Sequence, residues 1–144
     1  MSIWFDEFSV EEANKKRAGC LLETMDIELV ERGDDYLVAR MPVTARVCQP
    51  AGVLHGGASV VLAETAGTWA ATMAVDRAKH HCVGLEINAN HVRPVSEGFV
   101  TATATPLHLG RTTHVWQIVL KNDEGKTTCV SRMTVAVLDM PSQY

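Results

Sequence analysis

Between Gly56 and Val75 the chain is an almost unbroken run of small and apolar residues, and Glu64 is its only ionisable side chain. The run is too long for a strand and predicts a single helix over 57–75, about 28 Å long. Strand-like patterns surround it. Residues 83–95, 99–107, 113–121 and 127–138 follow, the last two joined by the turn Asn122-Asp123-Glu124-Gly125. In Val100-Thr101-Ala102-Thr103-Ala104-Thr105 the alternation is strict, which predicts one packed face and one polar face. Ahead of the helix, 25–30 and 36–43 read as a β-hairpin about Gly33-Asp34-Asp35, and 44–55 as an irregular loop. Ser9 and Glu12 have the spacing of a capping box and predict a short first helix to about Gly19. Six strands about 4.8 Å apart make a sheet roughly as wide as the long helix is long, so the sheet can curl around it. The predicted class is α+β, a long central helix wrapped by a curved antiparallel sheet of about six strands.

Composition narrows the setting. A chain of 144 residues with 47% hydrophobic content suits a single domain over 1–144. The start Met1-Ser2-Ile3-Trp4-Phe5-Asp6-Glu7 lacks the basic and apolar regions of a secretory signal, so a cytoplasmic location is expected. Cys20, Cys48, Cys82 and Cys129 are widely spaced with no CxxC, which argues against a disulfide framework or a zinc ribbon. His80 and His81 beside Cys82 fit no tetrahedral ligand spacing, so no metal is expected. A net charge of −4 argues against generic nucleic-acid binding. A membrane-spanning reading of 57–75 is set aside because Glu64 sits in its middle and no Lys or Arg cluster flanks it.

The run Gln49-Pro50-Ala51-Gly52-Val53-Leu54-His55-Gly56-Gly57-Ala58-Ser59, with Leu62-Ala63-Glu64-Thr65, Gly84-Leu85-Glu86-Ile87-Asn88-Ala89-Asn90-His91 and Pro106-Leu107-His108-Leu109-Gly110-Arg111, resembles the hotdog-fold acyl-CoA thioesterases. More narrowly it resembles the branch that hydrolyses aromatic acyl thioesters in menaquinone and enterobactin synthesis. The resemblance covers nearly the whole chain. It implies a catalytic carboxylate at Glu64, an oxyanion-binding backbone amide at Gly56, and supporting polar groups at Gln49, His55 and Thr68. It also implies an acyl-CoA or acyl-carrier thioester as substrate, with coenzyme A entering only as part of it, and a homodimer with shared sites, assembled further into a homotetramer. Two positions depart from the branch: Ala51 stands where it usually has Phe, and Trp69 where it has a smaller or unbranched residue. Both concern the acyl pocket, so they bear on substrate identity.

The residues support these roles on their own terms. A lone carboxylate in an apolar helix is costly to bury without a partner or a task. Gly56 and Gly57 stand at the helix N-terminus, where unpaired N–H groups and the dipole favour an oxygen that is gaining charge. Thr68 lies four residues after Glu64, on the same face, where its hydroxyl could orient the carboxylate or a water. Glu64 fits two roles, nucleophile on the thioester carbon or general base on water. Eight residues separate Gly56 from Glu64, about 12 Å along a helix, so both reach one thioester carbon only if two antiparallel helices meet across a two-fold axis. His91 and Arg93 alternate onto one strand face and Arg111 follows in a turn, cations suited to the phosphates of coenzyme A. His108 and His114 read as satisfied strand residues, and Trp4 and Trp116 as packing. Two other readings stand beside hydrolysis. One is a hotdog 3-hydroxyacyl dehydratase, whose His-to-carboxylate spacing is longer than the nine positions from His55 to Glu64. The other is a non-catalytic acyl-CoA sensor, against which Glu64 itself argues.

Overall fold

Ser9 opens the first helix, α1 (Val10–Asn14), with its Oγ accepting from the Glu12 N–H at 3.0 Å. The computed structural model describes residues 1–141. The expected helix to Gly19 is shorter. It passes into a 3-10 turn over Lys15–Arg17 and ends where Gly19 adopts φ 75°, a left-handed conformation that glycine tolerates. A one-turn helix that was not anticipated, α2 (Leu21–Thr24), comes next, and the Asp26 turn with φ 54° displaces the first strand toward the C-terminus. The hairpin is β1 (Glu28–Arg32) and β2 (Leu37–Pro42), antiparallel, closed by the Gly33 N–H on the Tyr36 carbonyl. Asn14 ties α1 to it, its side chain pairing with both the N–H and the carbonyl of Leu29 at 2.8 and 2.9 Å. Trp4 packs edge-on against Phe8 and donates from Nε1 to the Gly33 carbonyl.

The apolar run forms α3 (Gly56–Met73), 18 residues long. The remaining strands are β3 (His80–His91), β4 (Phe99–Leu109), β5 (Thr113–Lys121) and β6 (Thr127–Asp139). All six strands join one antiparallel sheet in the order β1-β2-β4-β5-β6-β3, which leaves β1 and β3 as its edges. α3 packs against β2, β3, β4, β5 and β6, and this is the helix-in-sheet arrangement the patterning predicted. Compared with the expected 83–95, β3 starts earlier because His80 to Cys82 pair with Asp139 to Val137. It also stops earlier, since Val92 and Arg93 both turn their N–H groups to the Thr128 carbonyl and Pro94 has none to offer. β4 outruns its expected end by two residues, a register shift between Pro106 and His108 accommodating the proline.

The face of α3 that carries Ser59, Leu62, Ala63, Ala66, Gly67 and Ala70 is buried on the sheet. Small side chains let the two approach closely: a methyl group on Gly67 would stand 2.8 Å from the Met133 sulfur. Val100, Ala102 and Ala104 point into that core and Thr101, Thr103 and Thr105 away from it, as the alternation required. The four cysteines are unbridged. Among the described residues no helix is long and apolar enough to cross a membrane.

Candidate active site

His55 is the N-cap of α3, its Nδ1 accepting from the Gly57 N–H at 2.8 Å. The His55 carbonyl accepts from Ala58 and Ser59 at 3.0 and 3.2 Å. That leaves the Gly56 N–H as the donor of the first turn with no partner among the described residues. An accepting Nδ1 also puts the proton of a neutral His55 on Nε2. The loop before the helix is held by its own polar groups: Gln49 N–H donates to Val53, Gly52 N–H to the Gln49 carbonyl, and Ala51 N–H to Gln49 Oε1 at 2.6 Å. A hollow of about 370 Å³ opens beside this helix end, lined by Gln49, Gly56, Ser59, His91, Arg93 and Thr128. His91 lies directly on Gly56, for a Cβ there would come within 2.9 Å of its Nε2. Only a bare backbone leaves the amide open beside that imidazole.

Two turns further along, Glu64 differs from its expected setting. The burial inferred from an all-apolar helix does not hold within one chain: Glu64 is exposed, because it lies off the face of α3 that is buried on the sheet and beside the edge strand β3. Thr68 does not orient it. The Thr68 hydroxyl turns inward to the Met133 sulfur at 4.0 Å, and the Glu64 carboxylate takes no hydrogen bond or ion pair among the described residues. Instead its Oε1 rests against Gly84 of β3, where an added Cβ would come within 3.0 Å. Glu64, Thr68 and Trp69 share a second cavity, about 310 Å³, with Val61, Leu21 and Leu22.

The predicted residues thus fall into groups. Gln49, Gly56, His91 and Arg93 meet at the N-terminal end of α3, while Glu64, Thr68 and Trp69 meet at its middle. His55 is engaged as the cap, and Ala51 is exposed on the loop, lining neither cavity. Arg111 does not join His91 and Arg93; it lines a hollow at the other end of α3 with Lys79, His80 and His114. Nor is His114 satisfied as expected. It is 3% exposed, its Nδ1 has no partner among the described residues, and burial, with nearby His108 second, pushes its pKa down from the ordinary value. Trp116 is wholly buried packing, and Trp4 nearly so. Sequence reasoning missed Leu21 and Leu22, which lie between the predicted first helix and the predicted hairpin, in a stretch given no element. It also passed over Gly84, although an isolated glycine inside a strand pattern signals a close approach.

Residues 51–129, more than half of the chain, match the thioesterase superfamily. The chain belongs to that superfamily, has its hotdog fold, and is an enzyme of the thioester-hydrolysing kind. One relative is the 1,4-dihydroxy-2-naphthoyl-CoA hydrolase of Escherichia coli, 46% identical over 136 residues that cover 94% of this chain and 99% of the relative. The proofreading thioesterase EntH of Cronobacter turicensis is 44% identical over 136 residues, covering 94% and 98%. Among solved structures, a mutant of thioesterase PA1618 from Pseudomonas aeruginosa superposes with a TM-score of 0.95 at 45% identity, covering 96% of this chain and 100% of that one.

Proposed function

We propose that this thioesterase hydrolyses aromatic acyl-CoA thioesters to a free acid and coenzyme A, in two sites shared between the subunits of a homodimer. The observation that carries the reading is the division of the machinery within one chain. The unpartnered Gly56 N–H opens toward one hollow and the unpaired Glu64 carboxylate toward another. The edge strand β3 offers the means to join them, since it runs past both: Gly84 touches Glu64, and His91 touches Gly56. An unpaired edge of 12 residues carrying Val83 and Leu85, 39% and 63% exposed, invites a further strand. Antiparallel pairing of β3 with its own copy about Ile87 and Asn88 sets Gly84 opposite the partner's His91. Glu64 then faces the partner's Gly56.

In such a site the thioester carbonyl oxygen lies on the Gly56 N–H at the positive end of α3. Glu64 either adds to the carbonyl carbon, giving an anhydride that water opens, or takes a proton from water as that water adds. Along both routes the oxygen gains negative charge, the C–S bond breaks, and the thiolate leaves and is protonated. Gln49 polarises the carbonyl side, Thr68 lines the cavity, His91 stands beside the thioester end at Gly56, and the Arg93 guanidinium is the cation offered to the phosphates of coenzyme A. The indole of Trp69 presents a flat face to an aromatic acyl group, in keeping with the naphthoyl substrate in the name of one relative. Four unbridged thiols suit a reducing, cytoplasmic setting, and two such dimers would form the expected homotetramer. The test is a thiol-release screen over benzoyl-, naphthoyl- and straight-chain acyl-CoAs, run with wild type and Glu64→Ala. Aryl substrates should lead, and the mutant should lose about 10²–10⁴-fold in kcat while remaining a folded dimer. Substantial turnover by the folded mutant would sink the assignment of Glu64.

A further inference from the structure

We infer that Leu21 and Leu22, on the one-turn helix α2, form the far wall of the acyl cavity and help to set which acyl groups the enzyme accepts. The inference rests on the proposed thioesterase site and extends it to a segment of the chain far from α3 in sequence. In the cavity that holds Glu64, Trp69 and Val61 supply apolar wall from α3, while Leu21 and Leu22 are the contribution of α2. Leu22 packs against the core, whereas Leu21 remains 51% exposed. An apolar side chain left half in water at the mouth of a cavity containing the reactive carboxylate is surface that a bound acyl group can cover. The cavity, about 310 Å³, is of a size for such a group.

The segment is held in place by specific contacts. The Gly19 N–H donates to Glu23 Oε2 at 2.5 Å, Arg46 Nη2 donates to the Thr24 carbonyl at 2.8 Å, and the Ile27 N–H donates to the Leu22 carbonyl at 2.8 Å. These bonds anchor α2 to itself, to the loop before α3 and to the start of the hairpin. Leu21 is therefore a fixed wall rather than a fraying end. Trp69 lines the same cavity, so an aromatic acyl group held there has both an indole and a leucine side chain to cover, where a short chain has too little surface to reach both.

The experiment measures kcat/KM for naphthoyl-CoA and acetyl-CoA by thiol release, for the full-length wild type, Leu21→Ala and Leu21→Met, with melting temperatures alongside. Leu21→Ala should lower the naphthoyl-over-acetyl ratio about tenfold, and the volume-conserving Leu21→Met should restore most of it. Because Leu21 is half exposed, the variants should melt close to wild type, and a folded Leu21→Ala with the wild-type ratio overturns the proposal. So does an equal loss on both substrates, which would mark a structural role. A wild type that releases no thiol from any acyl-CoA would instead bring down the functional reading beneath it.

Discussion

Adding one methyl group at Gly84 should slow the enzyme without unfolding it. The backbone of Gly84 has no left-handed φ, so alanine is tolerated conformationally. What the methyl meets is the Glu64 Oε1 at 3.0 Å and the Met133 Cε at 2.9 Å, both inside ordinary contact distance. The Met133 contact is to its terminal methyl, the far end of a flexible side chain, which can swing aside at small cost to the fold. The carboxylate, exposed and unpaired, moves by a few tenths of an ångström. Since about 1 Å of misplacement at a reacting group costs on the order of 10²-fold, Gly84→Ala should lower kcat by about three- to tenfold, or about 0.7–1.4 kcal/mol in the barrier. Steady-state thiol release at saturating acyl-CoA reads the loss, and a thermal melt shows whether the fold has kept its stability. A kcat within about twofold of wild type would refute the claim that Gly84 fixes the position of Glu64.

Mixing Glu64→Ala chains with chains carrying Gln49→Ala should restore part of the activity in heterodimers, because one of the two shared sites then holds both an intact Gln49 and an intact Glu64. No recovery after verified subunit exchange means that each site is built within one chain. Trp69→Ala should lower the preference for aryl over straight-chain acyl-CoA several-fold and, since Trp69 also packs against the core, cost about 1–3 kcal/mol of stability; a melting shift with an unchanged substrate profile would make it core alone. For His114 the fold holds the neutral ring, so the unfolded chain binds more protons as pH drops below the ordinary value of 6.5. Stability is complete above that value and declines toward the lower folded pKa, so wild type should lose melting temperature between about pH 7 and about pH 5 more steeply than His114→Phe. Parallel curves would remove His114 from the pH dependence.

Where the chain repeats one pattern for long enough, its fold was legible. The α3 run, the Val100 to Thr105 alternation and the Asn122 to Gly125 turn each carry one kind of signal over several residues, and each was placed to within a residue or two. The short elements were opaque because tertiary contacts make them. Leu21–Thr24 is too brief for helical periodicity to register, and its position is fixed by Arg46 and Ile27 from other parts of the chain. The start of β3 was lost for a similar reason: His80 and His81 look like loop until β6 is found running alongside them.

In the candidate site, residue types drew attention to the right stretch of helix for a cavity, whereas the direction each side chain takes did not follow from them. Glu64 stood out because a carboxylate in an apolar run is rare, and the inference from that rarity to burial used composition where phase was needed. Read at helical spacing, Leu62, Ala63, Ala66, Gly67 and Ala70 lie on the sheet, while Val61, Glu64, Thr65, Thr68 and Trp69 make a second stripe that the chain's own sheet does not bury. With Val61 and Trp69 only partly buried on either side of an exposed Glu64, that stripe has surface left for something else to cover. Glu64 sits in the middle of that second stripe, beside a cavity and at the level of an unpaired edge strand. The premise that it is buried therefore fails for one chain and describes instead the state expected when substrate and a second copy close over it. The same geometry explains why Gln49, Gly56 and Glu64, close together in the motif, line different cavities: eight residues of helix hold Gly56 and Glu64 apart, and it is the two-fold axis of the proposed homodimer that would bring their kinds back together.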